Sequence, residues 1–199
     1  MKVFTLHGSP DVYSCRSYLV LGDWNRIEDV NTLIDTGTDG SILNEIEAIS
    51  TGIGKRGVEQ VIITHNHFDH TGGLDVIIKR FNPRIYSYGD LGRGERRLRG
   101  WETLRIGDCD CRVMHTPGHS SDSICLYAAD QAALFSGDTP LRILSPGGSY
   151  SGEFLSCLQQ IASLRVEAIY PGHDDPILAD AHQVILHTLA AVRRSHISP

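Results

Sequence analysis

The stretch "VEQVIITHNHFDH", residues 58–70, constrains this chain more than any other part of it. Its apolar run predicts a strand that delivers the chain to His65, and three histidines and an aspartate then fall within six positions. Side chains alternate along a strand, so His65 and His67 are expected on one side, with both rings able to grip one divalent ion. Asp69 and His70, one turn further on, point elsewhere and are able to grip a second. A catalytic zinc ion commonly takes three protein ligands and leaves one position for water. The fold must therefore bring further donors to the end of this strand.

Three polar residues follow apolar strand-like runs and stand directly after a glycine: His119 in "HTPGHSSDS", Asp138 in "LFSGDT" and His173 in "IYPGHDD". The glycines are expected to let the backbone turn and direct the next side chain inward. Seven donors then sort into two sites that share a carboxylate. His65, His67 and His119 make one site, Asp69, His70 and His173 the other, and Asp138 bridges them. The cofactor expected is a pair of divalent ions, zinc first, with iron or manganese as the other candidates.

The rest of the chain alternates strands and helices without repeats. Strands are expected at "KVFTL", "CRSYLVLG", "NTLIDTG", "RIYSY", "CRVMHT", "SICLYA", "AALFSG" and "VEAIYPG". Apolar spacing predicts helices over "SILNEIEAIS", "TGGLDVIIKRF", "GEFLSCLQQIASL" and "DAHQVILHTLAAVRR". Periodicity yields a mixed α/β chain with two sheets face to face and helices outside, expected to be one domain over residues 1–199. A net charge of −6 and a pI near 5.9 argue against a general nucleic-acid binder. No apolar run reaches the length of a membrane span, and no signal peptide is evident after Lys2. Five cysteines without framework spacing suit a reducing cytoplasm, the expected location.

The motifs "THNHFDH", "HTPGH", "SGDT" and "YPGH" together resemble the metallo-β-lactamase superfamily, and most closely its glyoxalase II (hydroxyacylglutathione hydrolase) branch. The resemblance runs from "YLVLG" to "YPGHDDPI" and implies a four-layer αββα sandwich with a metal centre at one edge. It implies the same partition of the seven donors, and it makes Asp35 of "LIDTG" a residue that orients a metal-bound histidine. Two departures stand out. The chain ends about 26 residues after His173, short of the helical glutathione-holding domain of glyoxalase II, and "TPLRILSPGGSY" lacks recognisable glutathione contacts. Asp138 also stands where the best-known β-lactamases carry cysteine, so penicillin hydrolysis is not expected.

The function expected is a dinuclear metal-dependent hydrolase of a small thioester or lactone, acting through a metal-bridging hydroxide, with Asp69 as candidate proton acceptor. The expected partner is thus a small-molecule substrate, with no nucleic acid and no membrane. Two alternatives share the motif set: a mononuclear iron persulfide dioxygenase drawing on His65, His119 and Asp138, and a metallo-nuclease. Other residues carry plainer expectations. His7, His115, His182, His187 and His196 read as packing or surface histidines, and Cys109 and Cys111 as structural thiols on one strand face. Arg93, Arg96, Arg97 and Arg99 read as a solvated charged loop. Arg142, four residues after Asp138, is a candidate for holding an anionic substrate tail.

Overall fold

The computed structural model describes residues 1–198. Six strands form the first sheet in sequence order: β1 (Lys2–Leu6), β2 (Ser17–Leu21), β3 (Thr32–Ile34), β4 (Gln60–Ile63), β5 (Arg84–Ser87) and β6 (Arg96–Arg97). The pairing is antiparallel from β1 to β3 and parallel from β3 to β6. The second sheet contains β7 (Thr103–Ile106), β8 (Cys109–His115), β9 (Ile124–Ala128), β10 (Ala133–Gly137) and β12 (Ala168–Pro171), in the order β12-β10-β9-β8-β7. Two short strands, β11 (Ser149–Ser151) and β13 (His196–Ser198), pair in parallel apart from both sheets.

Alternation along the strands sorts apolar side chains into three cores. Tyr18, Val20, Ile34 and Ile62 of the first sheet meet Val113, Ile124, Leu126 and Phe135 of the second between the sheets. The outer face of the first sheet (Leu19, Leu33, Val61, Ile63) is covered by Ile46 of helix α1 (Leu43–Ala48) and by Leu74, Ile77 and Phe81 of helix α3 (Leu74–Phe81). The outer face of the second sheet (Cys125, Tyr127, Leu134, Ile169) is covered by helix α4 (Gly152–Ala162) and helix α5 (Ala181–Arg193) through Phe154, Leu158, Ile185 and Leu189. The result is the four-layer αββα arrangement that the sequence motifs implied.

The strand leading to the histidines stops earlier than its apolar run suggests. β4 ends at Ile63, and residues 64–67 bend away before the short helix α2 (Phe68–Thr71). The Thr64 N–H is taken by the Asp35 carboxylate at 2.8 Å, so it serves the site rather than a sheet ladder. The helix expected from residue 71 starts later: Thr71 closes α2, Gly72 and Gly73 lie between, and α3 begins at Leu74. Asn82 closes α3 in the left-handed conformation (φ 46°) and Pro83 follows, as a helix stop requires. The arginine loop also differs from expectation, since Arg96 and Arg97 form a short edge strand on β5. Arg93 pairs with Asp75, Arg96 with Glu102 and Arg97 with Asp90 at the surface. Cys109 and Cys111 lie buried between the sheets as expected, their thiols pushed up to about 11 and about 12 by burial first. No helix among the described residues is long and apolar enough to cross a membrane.

Candidate metal centre

The seven expected donors converge where β4, β8, β10 and β12 end. The His65 and His67 ring centroids are 4.5 Å apart, although both residues lie on the bend rather than on the strand. His67 Nδ1 lies 3.0 Å from His65 Nε2 and 3.0 Å from His119 Nε2. Asp69 and His70 come from α2. Asp69 Oδ2 is 3.1 Å from His173 Nε2 and 3.9 Å from His70 Nε2. These form two trios of donor atoms, His65–His67–His119 and Asp69–His70–His173. Asp138 lies between them. Its Oδ2 is 3.4 Å from both His119 Nε2 and His173 Nε2 and 3.8 Å from His65 Nε2, while its Oδ1 is 3.4 Å from His70 Nε2.

The spacings of 3.4 Å around Asp138 fit a shared cation, while those of 3.0 Å at His67 are also hydrogen-bond distances. Four atoms held tetrahedrally about 2.1 Å from one zinc ion lie about 3.4 Å from each other. His70 Nε2 and Asp138 Oδ1 are buried and aimed at each other, yet neither has a hydrogen-bond partner. A buried polar atom without a partner is costly unless something else satisfies it, and a shared divalent ion does so.

Behind the donors, Asp35 fixes their orientation. It is buried, takes a left-handed backbone (φ 56°), and accepts from the Thr64 N–H, the Thr64 hydroxyl and His70 Nδ1–H, each at 2.8 Å. With Nδ1 donating to Asp35, the Nε2 of His70 is the atom that faces the cluster. The Thr64 proton is engaged by Asp35, so its oxygen accepts from His65 Nδ1 at 3.2 Å and leaves His65 Nε2 facing the cluster as well. Carboxylate and hydroxyl thus set two tautomers at once.

Charge splits the neighbouring imidazoles. Burial, aided by the adjacent His70, pushes the His65 pKa down to about 4. For His70, burial opposes protonation, but the Asp35 charge, the hydrogen bond to Asp35 and the nearby Asp138 carboxylate outweigh it and raise the pKa well above the usual histidine range. Burial pushes the Asp138 carboxyl up, but the His173 and His70 rings beside it outweigh burial and lower its pKa.

The three glycines act in different ways. Gly137 does take positive φ (48°). Gly172 is required for another reason, because a Cβ there would lie 2.2 Å from Asp138 Oδ1 and 2.8 Å from His70 Cε1. The turn freedom expected at Gly118 is not used, since its φ is not positive.

Other residues at the centre carry weak sequence signals or none. Tyr13, in the loop between β1 and β2, stacks on His173 (centroids 5.3 Å) and brings its hydroxyl within 3.4 Å of His173 Nε2. With the exposed Phe68 it forms an aromatic rim. Thr64 could have been suspected from its place beside His65; Tyr13 could not. The remaining histidines stay outside the cluster: His7 faces Glu45 and His115 stacks on Tyr88. Arg142 lies on the wall of a cleft that opens from Asp138 and His173, 3.8 Å from Asp174.

With the fold and the donor geometry in place, the chain belongs to the metallo-beta-lactamase superfamily, whose family model matches residues 10–108 and 110–173. It is similar to an atrochrysone carboxyl ACP thioesterase of Aspergillus fumigatus, with 31% identity over 176 residues, covering 81% of this chain and 41% of that protein. It is similar also to the thioesterase pkgB of Emericella nidulans, with 30% identity over 180 residues, 86% of this chain and 49% of that one. The chain spans about half the length of these curated relatives. Among solved structures, a metallo-beta-lactamase family protein from Thermus thermophilus shares the fold with a TM-score of 0.71 at 21% identity, over 94% of this chain and 78% of that one.

Proposed function

We propose that this protein is a dinuclear metal-dependent hydrolase of small thioesters or lactones, with chemistry of the glyoxalase II kind. The observation that carries the reading is Asp138, whose single carboxylate reaches both donor trios and whose buried Oδ1 has no hydrogen-bond partner. In this reading His65, His67 and His119 hold one ion, Asp69, His70 and His173 hold the other, and Asp138 serves both. Divalent ions bound there supply Lewis acidity, bringing the pKa of water toward about 7 and offsetting negative charge that develops on an acyl oxygen. Asp35 and Thr64 hold the imidazoles in the ligating tautomer. In this reading Asp69 is also the candidate proton acceptor. Tyr13 and Phe68 form one side of the mouth. The names of the relatives, thioesterases both, support a thioester as the bond broken. The five cysteines are all free thiols, which fits the cytoplasm as the compartment.

Metal analysis of protein purified without added metal, run beside a panel of thioesters, lactones and persulfides, tests this reading. Two equivalents of zinc per chain and thioester or lactone turnover are expected. One equivalent of iron, oxygen uptake with glutathione persulfide, and no hydrolysis by a zinc-loaded sample would overturn it in favour of a dioxygenase.

A further inference from the structure

The cleft beside the metal centre has a chemistry of its own. It encloses about 280 Å³ and opens directly onto His119, Asp138 and His173. Its inner wall is carbon: Leu141 and Ile169, both buried, together with Pro140, Pro171 and Ile177. Two hydroxyls also line it, and both are already engaged. Ser136 Oγ donates to the Gly137 carbonyl at 3.2 Å, and Thr139 Oγ1 lies 2.9 Å from Thr116 Oγ1 and accepts from Cys125 Sγ at 3.4 Å. Apart from the cluster residues His119, Asp138 and His173, the charged lining is Arg142, Asp174 and Asp175, all exposed and paired, Arg142 with Asp174 at 3.8 Å and Asp175 with Arg16 at 2.7 Å. A polar or charged group reaching the inner wall would lose water without gaining a partner, whereas an apolar group would gain by burial.

From this we infer that the cleft is the acyl pocket and that the substrate class is thioesters of uncharged, medium-length apolar acids. The inference rests on the hydrolase reading above. The volume is nearly twice that of an apolar cavity that takes up benzene, roughly 150 Å³, so it accommodates one ring or a chain of about six to eight carbons. Beyond Ile177 the surface continues as an outer groove along Leu178, Ala179 and Val184, so longer chains run outward rather than being blocked. Ile177 is the apolar residue at the join of the two spaces, beside Arg142, Asp174 and Asp175, and is placed to set how much of the chain is enclosed.

Two measurements on the zinc-loaded chain test this. The first is kcat/KM for N-acetylcysteamine thioesters from acetyl to decanoyl, with adipoyl beside hexanoyl. The second is calorimetric affinity for the free acids from acetate to decanoate, which needs no turnover. Complete burial of each added methylene predicts a gain of about fourfold per carbon in both series, levelling near eight carbons. Ile177→Phe should lower the octanoyl-to-acetyl ratio of kcat/KM at least tenfold, and Ile177→Ala should move the plateau to longer chains. The binding series on the unaltered chain stands even if a variant fails to fold. Flat series in both measurements overturn the inference. Preference for adipoyl over hexanoyl also overturns it and points to Arg142 as the holder of an anionic tail. A rising binding series without hydrolysis at any chain length leaves the apolar pocket standing and removes the hydrolase reading instead.

Discussion

Asp35 carries more of the centre than its lack of direct contact with the outer ligands suggests. One carboxylate accepts from three donors, and two of those donors belong to Thr64, which in turn accepts from His65. Asp35→Asn keeps one acceptor oxygen but loses the charge, and metal affinity should fall about tenfold to a hundredfold, read by competition with a chelating dye. Asp35→Ala leaves three donors without an acceptor and should destabilise the fold by about 3 kcal/mol or more, read by urea unfolding. Asp138 behaves differently because it faces both trios. If two ions share Asp138 as proposed, Asp138→Ala removes the shared ligand and leaves the two cations to repel each other, so both equivalents should leave on dialysis. Two tightly held equivalents in that variant would show that Asp138 is not the bridge.

Among the elements, β12 ends so close to β10 that Gly172 leaves no room for a methyl group beside Asp138 and His70. Gly172→Ala should therefore reduce bound metal while the far-UV circular dichroism stays unchanged. Gly152→Ala, whose Cβ would meet its nearest neighbour at 3.6 Å, is the control and should keep both. Unchanged metal content in Gly172→Ala would mean that the donor positions tolerate displacement. The principal strands and helices were legible because their apolar runs face cores, as in β4, β10 and α3. The convergence of His65, His67, Asp69, His70, His119, Asp138 and His173 was legible because donor residues stand just after apolar runs. What escaped was set by partners distant in sequence. β6 is two arginines held by Tyr86 and Ser87, and β11 exists only by pairing with β13. Tyr13 reaches His173 across 160 positions, and the apolar cleft is assembled from the ends of β10 and β12 and the segments after them, whose residues read singly as ordinary turn or core positions.

For the whole molecule, the two sheets are joined by the interior core and, at one edge, by the donor cluster. His65, His67, Asp69 and His70 follow the first sheet, and His119, Asp138 and His173 follow the second. Ions bound there as proposed would clasp the two halves and favour the folded chain, so their removal should lower thermal stability. Ions present at about 1,000 times their Kd contribute about 4 kcal/mol, which for a chain of this size is a fall in Tm of about 10 °C on chelation. The pH dependence of the chelated protein has a definite sign. The pKa values of His70 and His173 are raised in the folded state, by the contacts with Asp35 and Asp138 for the first and by the hydrogen bond to Asp138 for the second. Groups of that kind stabilise fully below their unfolded value near 6.5, and the contribution is lost as pH rises toward the folded value. His65 and His119, whose values are lowered, are neutral in both states above that pH and contribute nothing to the slope there. With ions bound, all ligating imidazoles are already unprotonated and the stability is flat over the same range. The difference in Tm between the zinc-loaded and chelated protein should thus widen from pH 7 to pH 9, followed by calorimetry in matched buffers. A difference that narrows over that range would mean that the seven donors do not act together as a metal-binding clasp.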